Sequence, residues 1–129
     1  SDGQSRLLVT ATVLKHASLK VLAQPAAVVI TAEDIARGHV DVPAPALLAV
    51  KSNSGGYMLG FASEGDFMRR IIVAGTGSEL ELSPAGGLVT RTQPRGGTSS
   101  LVLTFRFVLS DTAQAGTYPW PLRLSVAPL

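Results

Sequence analysis

The sequence predicts an all-β domain, a β-sandwich of two antiparallel sheets with at most one short helix near residues 32–37. Three observations carry that expectation. Apolar and polar residues alternate at the two-residue period of a strand along almost the whole chain. Clusters of Gly, Pro, Asn and Ser interrupt the alternation about every 8 to 12 residues, the spacing of short strands joined by turns. The 129 residues are 46% hydrophobic and only 16% charged, enough apolar material for one sizeable core. A chain of this length fits a single domain over residues 1–129.

The first strand is read from Leu7, Val9, Ala11 and Val13, which share one face opposite Arg6, Thr10 and Thr12. Leu19 and Val21 continue the pattern around Lys20, and the apolar run from Ala26 to Ile30 reads as a short buried strand. Thr31 to Gly38 is the one helical stretch: Thr31 is an N-cap, Glu33 and Asp34 are acids in the first turn, Arg37 lies near the end and Gly38 stops the helix. Val40 and Val42 alternate with His39 and Asp41 before Pro43-Ala44-Pro45, a breaker that predicts an edge or a crossing between sheets. Leu48 and Val50 follow.

After the Asn53-Ser54-Gly55-Gly56 turn, Tyr57, Leu59 and Phe61 share a face. Phe67, Arg69, Ile71 and Val73 form the next run, beyond Glu64-Gly65-Asp66. Leu80 and Leu82 alternate with Glu79 and Glu81, Leu88 and Val89 lie between Gly-rich turns, and residues 93–97 form a loop. The strongest strand has Leu101, Leu103, Phe105, Phe107 and Leu109 on one unbroken face. Trp120, Leu122, Leu124 and Val126 alternate to the C-terminus, and Tyr118 reads as a corner that fixes the entry of that last strand. Pro-bearing connections favour a sandwich over a closed barrel, which more often uses tight hairpins.

Composition excludes several chemistries. With no cysteine there is no disulfide, thiolate nucleophile or Cys-based zinc site. Eleven Lys and Arg against nine Asp and Glu give a net charge of +2, without the concentrated cations of a nucleic-acid binder. No apolar run approaches the roughly 18 residues of a membrane-spanning helix. His16 and His39 are the only histidines, at unrelated positions, and read as surface residues rather than catalytic bases. Glu33 with Asp34, Glu64 with Asp66 and Glu79 with Glu81 are candidate carboxylate pairs, each explained by a helix terminus, a turn or a solvent-facing strand. Gly75-Thr76-Gly77-Ser78 lacks the lysine and following helix of a phosphate cradle and reads as a hairpin turn. Tyr57, Phe61, Phe105, Phe107 and Trp120 lie on the apolar phase of their strands and are assigned to the core. No catalytic residue, cofactor or metal site is assigned.

The stretch from Ser110 to Tyr118, with Ala115-Gly116-Thr117-Tyr118 at its end and an alternating strand after it, resembles the ending of secreted bacterial immunoglobulin-like domains. The spore coat U and archaic chaperone-usher pilin-subunit families end similarly. The alternating opening strand and the Val50-Lys51-Ser52-Asn53 turn leading to Gly56-Tyr57 are similar in kind. The resemblance implies an immunoglobulin-like sandwich used in assembly or adhesion at the cell surface or in the periplasm, pilus-like, structural and without an active site.

From these readings the expected function is a non-enzymatic, extracytoplasmic structural or adhesive domain; the alternative is a module binding carbohydrate or a peptide strand. Expected partners are proteins, or further copies met through sheet edges. Ser1 is not an initiator methionine, so either a signal peptide or longer leading region has been removed, or Ser1 is an arbitrary start. Leu7, Val9, Ala11 and Val13 form a strand that is either internal or exchanged with a neighbour, and local alternation is identical in both cases. The internal strand is favoured, because a groove left by an exchanged one exposes an aggregation-prone edge. The interaction loops are assigned to Asn53, to Glu64 and Asp66, and to Arg95.

Overall fold

The computed structural model describes residues 14–94 and 96–129. Leu7, Val9, Ala11, Val13 and Arg95, named above as exchange and loop residues, lie outside the described residues.

Within them the chain forms strands β1 (Ala17–Ala23) and β2 (Ala27–Ile30), helix α1 (Ala32–Arg37), then β3 (His39–Asp41), β4 (Ala46–Ser52), β5 (Gly56–Ser63) and β6 (Met68–Ala74). They are followed by β7 (Leu80–Leu82), β8 (Gly86–Thr92), β9 (Thr98–Leu109), β10 (Gly116–Pro119) and β11 (Leu122–Pro128). All pairings are antiparallel. The largest sheet has the order β1-β4-β9-β6-β7, with β3 also on β9; β11-β5-β8 form a second sheet and β10-β2 a third.

That third sheet departs from the expected two. Pro25 separates β2 from β1 and Pro121 separates β11 from β10, and a proline offers no N–H to a continuing ladder. The two short pieces therefore pair with each other, Gly116 opposite Ile30 and Pro119 opposite Ala27. As an edge pairing, β2 is not buried on both faces: Val28 and Ile30 are buried, but Val29 is 59% exposed.

Pro43 and Pro45 do not carry the chain between sheets. Strands β3 and β4 pair with the same side of β9, with His39 opposite Val108 and Ala46 opposite Leu103. The Val42 N–H bridges the gap by donating to the Phe105 carbonyl at 3.0 Å. At twelve residues, β9 is long enough to hold both on one edge and β6 on the other.

A second departure lies in β6. The β6–β9 register shifts between Met68 and Arg70, so two residues of β6 oppose one of β9. Met68 is buried, and Arg69 joins Arg70 in solvent instead of sharing the face of Ile71 and Val73. The bulge lets consecutive arginines both reach water.

One core cluster draws on every sheet, with Leu48, Val50, Leu103 and Phe107 from the largest, Tyr57, Leu59 and Leu122 from the second, and Val28 and Ile30 from the third. Phe107 packs edge-on against Phe67 at a ring separation of 5.8 Å and against Trp120 at 5.7 Å. Phe105 also meets Trp120 edge-on, at 5.1 Å.

Helix α1 follows its sequence signals closely. Thr31 and Asp34 form a reciprocal capping box: the Thr31 N–H donates to Asp34 Oδ2 at 2.9 Å and the Asp34 N–H to Thr31 Oγ1 at 3.1 Å. Gly38 adopts the left-handed conformation at φ 85°, with its N–H on the Asp34 and Ile35 carbonyls. The hydrogen bond from the Thr31 N–H holds the Asp34 carboxyl below its usual value, against partial burial, with the Thr31 hydroxyl and Arg37 adding to the effect. A depressed carboxylate stabilises the fold above its unfolded pKa near 3.8, and that contribution is lost as pH falls through the lower folded value. Asp34→Asn is therefore expected to cost about 1 kcal/mol at pH 7. The deficit should shrink as pH falls through the lowered folded value, which urea titrations across pH will read.

Gly86 opens β8 with φ 112°, and a Cβ there would stand 1.9 Å from the Phe61 carbonyl oxygen. Gly86→Ala is expected to destabilise by about 2–3 kcal/mol through backbone strain and the clash. Gly55, with open space around it, provides the control: Gly55→Ala should stay within about 0.5 kcal/mol in the same thermal melts.

Candidate functional site

Strand β11 has one hydrogen-bonded neighbour among the described residues, β5, with Leu122 opposite Ser63 and Pro128 opposite Tyr57. Strand β1, which likewise pairs only with β4 among the described residues, lies near β11. The pleat turns Leu122, Leu124 and Val126 toward the core and Arg123 and Ser125 away. Leu122 is buried, whereas Leu124 and Val126 are only half-buried. On β1, Val21 follows the inward phase of Leu19, yet it is 40% exposed.

Near these two strands lies an open groove of about 560 Å³, lined by Val21 of β1, the turn at residues 24–26, Pro119 and Trp120, and residues 122–124 of β11. Val21, Pro25 and Ala26 form one wall, and Trp120, Leu122 and Leu124 form the other. Trp120 is held by the core aromatics described above; its Nε1 is buried without a hydrogen-bond partner among the described residues. Glu64 and Arg123 close one end with an ion pair at 2.8 Å. The groove thus has largely apolar walls and charge at one end, and lies beside strand edges that are unpaired among the described residues.

Tyr118 holds the entry to β11, its hydroxyl donating to the Gln114 carbonyl at 2.6 Å while its ring lies 4.9 Å from that of Phe67. This is the corner expected of it from sequence.

The named loop residues take different places. Glu64 reaches the groove, and its N–H donates to the Pro121 carbonyl at 2.8 Å. Asp66 is exposed in the same loop, above Phe67 and Pro121. Asn53 sits at the opposite end of β1, hydrogen-bonded through its side chain to the backbone of residues 14 and 16. The structure therefore brings Glu64, but not Asn53, to the groove. Val21, Trp120, Leu122 and Leu124 were visible in sequence as alternating apolar residues. Nothing local marks them as lining one groove, since β1 and β11 lie at opposite ends of the described chain.

A charged cluster lies on the solvent face of the largest sheet. Arg106 grips Asp41 through two bonds of 2.6 and 3.2 Å, and His39 Nε2 lies 3.7 Å from the same carboxylate. The Arg106 hydrogen bond holds the Asp41 carboxyl below its usual range. A carboxylate so paired and so acidic is a poor general base at neutral pH. His16 is exposed beside Asn53, remote from that cluster in sequence and sheet position. Among the described residues, no group of three or more His, Cys, Asp or Glu is placed to hold a metal ion, and no helix is long and apolar enough to cross a membrane.

Compared with protein-family models, curated proteins and solved structures, the chain shows no match to any of them.

Proposed function

We propose that this chain is a non-enzymatic, extracytoplasmic structural subunit on an immunoglobulin-like β-sandwich, and that it joins to further copies by strand addition at β11. The observation that carries the reading is the pocket beside β1 and β11, where a strand edge with no partner among the described residues runs beside half-buried Leu124 and exposed Val21. The natural occupant is an extended segment with apolar residues at every second position. Leu7, Val9, Ala11 and Val13 supply that pattern within this chain, over about the length of the seven-residue β11.

Two further observations support it. The Tyr118–Gln114 hydrogen bond is a tyrosine corner, a recurrent device at the entry to a late strand of immunoglobulin-like sandwiches. The Ala115-Gly116-Thr117-Tyr118 ending resembles secreted assembly families. Exchanged or internal, that strand would use the same edge, and association in solution separates the two arrangements. Carbohydrate binding has less to stand on: Phe105, Phe107 and Trp120 pack on one another instead of forming an exposed platform.

Light scattering tests the reading on the full chain beside a chain lacking residues 1–14, with a peptide of residues 6–14 added back. Strand exchange predicts that the full chain self-associates and that the shortened chain is stable only with the peptide. A concentration-independent monomer that simply unfolds on truncation would show the strand to be internal and defeat the proposal. A monomer that stays folded without residues 1–14 and ignores the peptide would leave peptide or carbohydrate capture to be tested.

A further inference from the structure

Strand β8, like β11, is an edge strand among the described residues. It ends the β11-β5-β8 sheet as β7 ends the largest one, and neither has a described partner on its outer side. Over its seven residues β8 carries Leu88, Val89, Thr90 and Thr92, with Leu88 67% exposed. Apolar and β-branched residues along an unpaired edge are a template for pairing with another chain. A single charge interrupts them, Arg91.

Arg91 points into the sandwich. It stands opposite Tyr57 on β5, as Val89 stands opposite Leu59, and both β5 residues are fully buried. Residues directly opposite in an antiparallel pair share a face, so the inward phase of β8 is Gly87, Val89 and Arg91. Leu82 of β7 covers the first of these: a Cβ on Gly87 would stand 2.9 Å from Leu82 Cδ2. Val89 packs against the core. The half-buried Arg91 reaches from β8 to the loop after β6, where its Nη1 donates to the carbonyl of buried Thr76. Among the described residues no carboxylate lies within ion-pairing distance of Arg91, and its other N–H donors are left to water.

A strand seated on β8 would set its inward side chains beside that phase. It would take the guanidinium out of water with a neutral carbonyl as its bonded partner, and a cation covered in that way costs more than the new ladder bonds return. Strand β11 carries no such obstacle, since its inward phase is Leu122, Leu124 and Val126.

We infer that Arg91 bars edge strand β8 from strand addition, so that this chain associates through the β11 side alone. The bar on β8 stands on the geometry of Arg91 itself; the restriction to β11 rests on the proposed function.

The test uses the full chain carrying Leu124→Glu, a change aimed at association through β11. Adding Arg91→Leu to that chain is expected to yield a species of roughly twice the monomer mass or more in sedimentation velocity. Amides of β8 should exchange roughly tenfold more slowly in that species than in the monomer. Arg91→Gln keeps a donor for the Thr76 carbonyl and removes the charge, so it should associate to a lesser degree. Thr90→Leu adds an apolar side chain to the outward face of β8 with Arg91 in place, and should remain monomeric. Circular dichroism confirms that each variant folds, and Arg91→Gln keeps the comparison informative should Arg91→Leu not fold. Folded Arg91 variants that stay monomeric, or that associate without slower exchange in β8, overturn the inference; so does Thr90→Leu associating as strongly as Arg91→Leu. A parent chain that is monomeric, or a Leu124→Glu chain that associates like the parent, counts against strand addition at β11 alone. The bar on β8 is then still read as the difference that Arg91→Leu makes.

Discussion

Leu124→Glu is expected to abolish self-association of the full chain while leaving it folded. In the proposed assembly, Leu124, paired in register with Phe61, forms part of the groove wall where an added strand would seat an apolar side chain. A carboxylate there would be covered without a partner on strand addition, a desolvation cost of several kcal/mol that an exchangeable strand does not survive. In the open groove the same carboxylate keeps contact with water, because Leu124 is only half-buried. Ser125→Glu places the same charge on the outward face of the same strand and should associate like the parent chain. Sedimentation velocity on the three proteins reads the difference. Equal association of all three would remove the groove from any account of assembly.

Phe107→Ala is expected to cost about 3–5 kcal/mol, the range for a large aromatic lost from a core that cannot collapse around the cavity. Phe107 is fully buried on β9, between β3 and β6, and touches Phe67, Phe105 and Trp120. Those rings come from β9 and from the segments that precede β6 and β11, so no single element can shift to fill the space. Against a total stability of about 5–15 kcal/mol for an ordinary domain, such a loss brings the chain near its unfolding threshold. The single tryptophan, in direct contact with the altered site, reports urea unfolding by fluorescence. The midpoint should drop sharply with the slope unchanged. A loss under about 1 kcal/mol would show that the aromatic cluster is not the centre of the core.

These two residues show how differently the site and the core could be read before the fold was known. Phe107 was assigned to the core because it lies on an unbroken alternating face with Leu101, Leu103, Phe105 and Leu109, and every residue of that face is buried. Leu124 belongs to a face with the same pattern, Leu122, Leu124 and Val126, yet it is only half covered. Alternation reports which side of a strand points inward and says nothing of how deep that side lies or what stands beside its edge.

Local chemistry set α1 almost to the residue, since the Thr31–Asp34 capping box and the left-handed Gly38 act within one turn of the chain. The strand periods, the core aromatics and the Tyr118 corner were likewise determined by the sequence alone, because pleat and turn geometry involve near neighbours. The tertiary structure decided the rest. It placed β3 and β4 on one side of β9 across two prolines, turned Arg69 outward through a bulge, and separated β2 and β10 as a sheet of their own. It also brought β1 near β11, where both line the groove, and set Asn53 against residues 14 and 16. Those arrangements are selected by packing and hydrogen-bond closure between segments far apart in the chain, and neither is encoded in the spacing of any one segment.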